Sequence, residues 1–187
     1  GKYVKTNEYL EEKEAGYMIY RGIGSNPYPG HDLGAVRNAI FSKMQGGGPA
    51  NTCVLEYSDK LFALWEGGPP HIMDPETLEM IGNEPYTFNG QIPEGPVQFL
   101  AHTRVDQVSN HLLGCNTSYT GRGLARYTMY EFNENFEKVH EASFTADNMY
   151  FIHDFVFTPS YYVLILNPAA LQWSNLIKIG LGFQPLM

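Results

Sequence analysis

Two histidines stand inside apolar runs, where an imidazole needs a partner. One closes Phe99-Leu100-Ala101-His102, and the other lies within Tyr150-Phe151-Ile152-His153-Asp154-Phe155-Val156-Phe157. Read as a strand, the second run puts His153 on one face with Phe151, Phe155 and Phe157. Asp154 then shares the other face with Ile152 and Val156. Both faces are apolar, which predicts a strand buried on both sides with a polar pair at its centre. An unpartnered buried polar group costs roughly 2–7 kcal/mol, depending on the reference state. A metal ion held by imidazole nitrogens is one arrangement that satisfies such a pair. The remaining histidines carry weaker signals. His31 and His71 fall in Gly/Pro loops, His140 alternates with Lys138 on a hairpin face, and His111 is ambiguous.

The elements that must position these side chains read as β-structure. The chain has 187 residues, of which 43% are hydrophobic and 17% charged, enough for one ordinary domain with a real core. Thirteen tyrosines, eleven phenylalanines, nineteen glycines and twelve prolines suit short strands joined by tight turns. The net charge of -8 argues against a nucleic-acid surface, whose footprint is basic. Cys53 and Cys115 form no CxxC pair, which excludes a zinc ribbon and disfavours a disulfide framework. No apolar run approaches the ~20 residues of a membrane span.

Along the chain, residues 7–16 carry Glu8, Glu11, Glu12, Lys13 and Glu14 and read as a short solvated helix closed by Gly16. Gly22 to Gly30 and Gly46-Gly47-Gly48-Pro49 read as loops. No Lys-Ser/Thr follows the second, so it is not a phosphate cradle. Hairpins then follow: residues 53–57 with 61–66, residues 124–132 with 136–144, and residues 150–157 with 161–166. Residues 98–102 and 110–118 are further strands. Hairpin after hairpin with polar turns predicts a meander, as in propeller blades or a barrel. The apolar stretch Leu171 to Phe183 fits either an interfacial segment or a core helix.

Five segments, taken in order, form a series: Ala50-Asn51-Thr52, Leu64-Trp65-Glu66-Gly67-Gly68-Pro69-Pro70, Asp74-Pro75-Glu76-Thr77-Leu78-Glu79, Ala101-His102-Thr103-Arg104-Val105-Asp106 and Phe151-Ile152-His153-Asp154-Phe155. This series resembles the carotenoid cleavage oxygenases, which include the retinoid isomerase of the visual cycle, and the similarity is greatest to the apocarotenoid-cleaving branch of photosynthetic microbes. The resemblance runs from about Tyr20 to the C-terminus. It implies an all-β fold, part of a seven-bladed β-propeller, with Fe(II) on its axis bound by four histidines from different blades. His102 matches the first ligand motif and His153 the second. Glu66 matches a carboxylate that orients an iron-bound histidine, with His153 the implied partner. Such a carboxylate takes the free imidazole N–H and strengthens the ligand.

Three positions depart from the pattern. Thr103 replaces the usual Pro, the Thr-Gly-Glu expected after Asp106 is absent, and Met80 stands where Thr is common. The third and fourth histidine motifs and two further glutamates have no counterpart here. At roughly 40–50 residues per blade, 187 residues could not close the ring. The expectation is therefore a single incomplete domain spanning residues 1–187, the N-terminal portion of an oxygenase propeller, inactive by itself.

The resemblance further implies a dioxygenase that cleaves a conjugated double bond of a carotenoid or apocarotenoid with O2 to carbonyl products. Retinoid isomerisation, cleavage of a stilbene-like phenylpropanoid, and a non-catalytic propeller fragment are the alternatives. It also implies membrane contact through Leu171 to Phe183, with Trp173, Leu176 and Ile177 the contacting residues. The compartment stays open between cytoplasm and plastid, in either case membrane-associated.

Overall fold

The computed structural model of the protein describes residues 1–17, 50–82, 86–92, 98–121, 124–148 and 150–167. Its order is α1 (Asn7–Ala15), β1 (Cys53–Tyr57), β2 (Lys60–Leu64), β3 (His71–Met73), β4 (Gln98–Phe99), β5 (Arg104–Asp106), β6 (His111–Gly121), β7 (Leu124–Phe132), β8 (Lys138–Ala146), β9 (Phe155–Phe157) and β10 (Tyr162–Leu164). The strands form three sheets in chain order: β1-β2-β3, then β4-β6-β7-β8 with β5 also on β6, then the β9-β10 pair. Every pairing between these strands is antiparallel. The loops at 22–30 and 46–49, His31, and the apolar stretch 171–183 with Trp173, Leu176 and Ile177 lie outside the described residues. Among the described residues no helix is long and apolar enough to cross a membrane.

Local chemistry explains most of these boundaries. Thr6 caps α1 by accepting from the Tyr9 N–H, and Gly16 ends it with a left-handed backbone at φ 75°. Ser58 and Asp59 turn β1 into β2 with φ of 48° and 56°, the two-residue hairpin geometry that matches strand twist. In the β7–β8 turn the Asn133 side-chain oxygen accepts from the Asn135 and Glu137 N–H groups at 3.0 Å each. Asp74 similarly collects the Glu76 and Thr77 N–H groups and the Thr77 hydroxyl.

Two expectations need correction. The run 150–157 is not one strand buried on both faces: Phe155–Phe157 forms the strand, Tyr150 makes an isolated bridge, and Phe151 and Val156 are exposed. Ile152 and Phe155 reach the core at a spacing of three because residues 150–154 carry no ladder, so the period of two does not apply. His71 does not sit in a loop either. It pairs with Ala63 in β3 and is buried, since β2 supplies the apolar partner strand that the short His71–Met73 run cannot signal alone.

The middle sheet has a core on each face. On one side Leu112, Tyr130 and Phe132 pack with Tyr57, Phe62, Leu64 and Ile72 of the first sheet, around Phe88 and Phe99. On the other, Leu113, Cys115, Tyr127 and Met129 pack with Ile152 and Phe155 and with the partly buried Tyr162 and Leu164 of the last sheet. Strand alternation makes this possible, since neighbours on β6 and β7 go to opposite cores. Gly114 is the exception that admits a ring: a Cβ there would lie 2.0 Å from Phe99 Cζ.

The last sheet is also tied by a phenol. The Tyr127 hydroxyl donates to the Tyr150 carbonyl at 2.9 Å and accepts from the Tyr150 N–H at 2.7 Å. It thereby completes the backbone pairing of a residue outside the main ladders.

Gly114→Ala should lower unfolding free energy by about 1–3 kcal/mol, the usual cost of overpacking, in urea denaturation. Phe99→Leu in the same chain should return part of that loss, and simple additivity would refute the close approach. Tyr127→Phe should cost about 1 kcal/mol, the net worth of a hydrogen bond, by freeing the part-buried Tyr150 backbone groups, with faster hydrogen exchange at the Tyr150 amide. An unchanged exchange rate there would show that the phenol is no tether.

Candidate metal centre

Glu66 follows directly from the end of β2. Its backbone leaves the strand through buried Trp65 and then Gly67, where a Cβ would lie 2.2 Å from the Trp65 ring. Gly68 next bridges to Phe99, whose N–H donates to the Gly68 carbonyl at 3.1 Å, joining the first sheet to the middle one. The Thr52 N–H holds the Leu64 carbonyl at 3.0 Å, and the Thr52 hydroxyl donates to Glu66 Oε2 at 3.3 Å. The carboxylate is therefore fixed from both sides, with its side chain only 12% exposed.

His102 owes its position to an irregular edge. Phe99 stands opposite Asn116 and Arg104 opposite Leu113, so the four residues 100–103 face only Gly114 and Cys115. The surplus bows out of the ladder, like an enlarged bulge. Leu100 and Ala101 are buried, and the Leu100 N–H donates to the Cys115 carbonyl at 3.0 Å. Thr103, standing where the family pattern has Pro, donates its hydroxyl to the Leu100 carbonyl at 3.3 Å and so closes the bow with its own bond. His153 lies between buried Ile152 and Asp154, on the segment that leads into β9.

The three side chains meet. His102 Nε2 and His153 Nε2 are 3.0 Å apart, with the rings edge-on at 72°. Glu66 Oε1 lies in close contact with His153 Nδ1, and the ligand atoms of all three residues fall within 4.8 Å of one another. Among the described residues this is the one group of three or more His, Cys, Asp or Glu so placed. The expectation of buried imidazoles is not met: His102 is half-buried and His153 exposed. Their environment is an open face between sheets rather than the inside of one.

The donor set fits a divalent first-row metal. A carboxylate beside Nδ1 favours the proton there and leaves the Nε2 lone pair of His153 turned toward His102. At 3.0 Å apart, the two Nε2 atoms are close enough for both to reach one ion. Glu66 Oε1 is buried and has no aligned hydrogen bond, so the short contact with His153 is its one compensation. Cys115 takes no part, because burial pushes its thiol up to about 12 and keeps it protonated.

Beside the imidazoles, the Asp154 carboxylate is ion-paired with the Arg104 guanidinium and accepts from the Phe155 N–H at 2.7 Å. Burial raises the Asp154 carboxyl, but the Arg104 and Phe155 hydrogen bonds outweigh it and hold the group below its usual range. A separate polar cluster joins the middle and last sheets. Tyr162 donates its hydroxyl to Glu131 Oε1, and His111 Nδ1 lies 3.2 Å from Glu131 Oε2. Sequence reasoning singled out neither Thr52 nor Arg104 for a role at the site. Both lie in segments of the motif series, which was the available signal.

The family model described as Retinal pigment epithelial membrane protein matches residues 1–185. The apocarotenoid-15,15'-oxygenase of Synechocystis is 34% identical over 91% of this chain and 34% of its own length. The resveratrol cleavage oxygenase 1 of Botryotinia fuckeliana is 31% identical over 88% of this chain and 27% of its own. Among solved structures, cobalt-substituted Synechocystis ACO superposes with a TM-score of 0.68 at 32% identity, over 87% of this chain and 33% of that one. An ACO/RPE65 chimera superposes with a TM-score of 0.76 at 29% identity, over 99% and 37%. The chain thus spans about a quarter to a third of the curated relatives it matches. With that family model matching nearly the whole chain, the chain belongs to the retinal pigment epithelial membrane protein family, that of the carotenoid cleavage oxygenases.

Proposed function

We propose that the protein containing this chain is an Fe(II)-dependent dioxygenase that cleaves a conjugated double bond of a carotenoid or apocarotenoid to carbonyl products. The observation that carries the reading is the meeting of His102, His153 and Glu66 from three successive sheet regions within 4.8 Å. On this reading the three sheets are successive blades of a seven-bladed propeller, and residues 1–187 are one part of that domain. His102 and His153 would hold the iron through Nε2, as two of four histidines. Bound there, the iron would supply the binding and activation of O2.

What the chain's own residues do follows from their contacts. Glu66 keeps the His153 proton on Nδ1 and so keeps its Nε2 free to donate an electron pair. The Thr52 hydroxyl, 3.3 Å from both Glu66 Oε2 and Asn51 Oδ1, offers a hydrogen bond to the second oxygen of that carboxylate. The bow at residues 100–103 sets how far His102 reaches from the middle sheet. On this reading the substrate would lie against the imidazole face of the site. The enzyme's contribution there is to position a polyene and exclude competing water.

A second substrate reading is favoured by particular relatives. The resveratrol cleavage oxygenase is 31% identical, and the lignostilbene-alpha,beta-dioxygenase isozyme III of Sphingomonas paucimobilis is also 31% identical, over 96% of this chain. Cleavage of the central double bond of a stilbene would use the same imidazoles. Product analysis with an apocarotenal and a stilbene offered in parallel separates the two.

The full-length protein should bleach an apocarotenoid only when iron and O2 are both supplied. His102→Ala and His153→Ala should each abolish bleaching and lower bound iron, whereas Glu66→Gln should weaken iron binding by about 10–100-fold. Normal turnover in either histidine variant would remove that residue from the ligand set. Membrane contact through residues 171–183 is part of the same proposal. Changing Trp173, Leu176 and Ile177 together to Ser should reduce co-sedimentation with liposomes, and undiminished binding would exclude this segment as the contact.

A further inference from the structure

His153 presents a positioning problem that its own packing does not solve. Its side chain is 58% exposed, and residues 150–154 belong to no strand. The ring is therefore placed by its neighbours. Upstream, Tyr150 is tied by the Tyr127 hydroxyl and Ile152 is buried in the core shared with Leu100. Downstream stands Asp154, with both carboxylate oxygens engaged. Oδ1 accepts from the Phe155 N–H at the first residue of β9, and Oδ2 is held by Arg104.

Arg104 lies two residues after His102, at the first position of β5, where it pairs with Leu113 across the ladder. The Arg104–Asp154 pair thus joins the residue two past one imidazole to the residue one past the other. No strand pairing links these two segments. The 3.0 Å separation of the Nε2 atoms is consequently set, from this side, by one guanidinium and one carboxylate. Arg104 meets Oδ2 while the Phe155 N–H holds Oδ1, so the two contacts together restrain the orientation of the carboxylate as well as its distance. The pair also occupies the one acidic side chain adjacent in sequence to His153, so that carboxylate is not free to turn toward a bound metal.

We infer that Arg104 and Asp154 form a clasp that positions His102 and His153 for a shared metal ion and keeps the Asp154 carboxylate off that ion. The inference rests on the proposed metal role of the two histidines. Both partners are about two-fifths exposed, so the clasp contributes little to global stability. Its effect is concentrated on the geometry of the imidazole pair.

The test uses the full-length protein loaded with Co(II), a metal that also enters the related Synechocystis protein. Affinity is read by equilibrium dialysis, and ligand geometry by the visible d–d bands. Arg104→Met and Asp154→Asn should each weaken Co(II) binding by about 10–100-fold. Arg104→Met, which leaves the carboxylate free, should in addition shift the d–d bands. The double variant should be no weaker than the worse single one, and Arg104→Lys should recover part of the affinity. Melting temperatures should change little throughout. Should Arg104→Met unfold the protein, the exchange of Arg104→Asp with Asp154→Arg must restore both fold and affinity, and failure to do so overturns the clasp. Unchanged affinity and spectrum in Arg104→Met, with binding lost in His102→Ala, also overturns the clasp while leaving the metal reading intact. Full binding by His102→Ala and His153→Ala would instead overturn the metal reading itself.

Discussion

Strands β6 and β7 of the middle sheet carry apolar side chains on both faces, while β8 beside them is largely exposed, and the other two sheets are arranged by that constraint. Strand β6 sends Leu112 to one core and Leu113 and Cys115 to the other. Strand β7 does the same with Tyr130 and Phe132 against Tyr127 and Met129. Apolar side chains on both faces need a cover on each, and at about 25 cal/mol per Å2 the burial of several aromatic rings is the dominant favourable term available. The first and last sheets are those covers. Stacking sheets in chain order in this way is how a propeller grows.

Stacking alone would not make a site, because sheet packing is tolerant of small shifts. Precision comes from a few polar ties at one edge. The Gly68–Phe99 bridge pins the segment after Glu66 to β4, and the bow at residues 100–103 pushes His102 out of the ladder. The Tyr127 hydroxyl bonds both the N–H and the carbonyl of Tyr150. Glycine has a steric part in two of these places. Gly67 makes room for the Trp65 ring and Gly114 for the Phe99 ring, and in each a single methyl would displace an aromatic that packs beside the site. The carboxylate and the two imidazoles thereby come together with Glu66 and His102 partly buried and His153 exposed.

Much of the fold was legible. The β1–β2 hairpin, the extent of β7, the helix at residues 7–15 and its Gly16 stop all follow from alternation, turn residues and capping, which act within a few residues. The run at 150–157 was misread for a physical reason. Alternation predicts faces only where a ladder enforces extended backbone, and here the tie at Tyr150 comes from a side chain. His71 was misplaced because a three-residue strand has no period of its own and is defined by its partner β2. The part Thr103 plays became visible only in the structure, where its hydroxyl bonds the Leu100 carbonyl.

The sequence by itself determined the family, the β-rich hairpin architecture and the identities of Glu66, His102 and His153, since motif order and residue type survive without coordinates. Only the tertiary structure decided that these residues face one another, that Thr52 steadies the carboxylate, and that Arg104 reaches across to Asp154. The reason is separation along the chain. His102 and Asp154 lie some fifty residues apart, and their proximity is produced by two apolar cores whose packing no local pattern encodes.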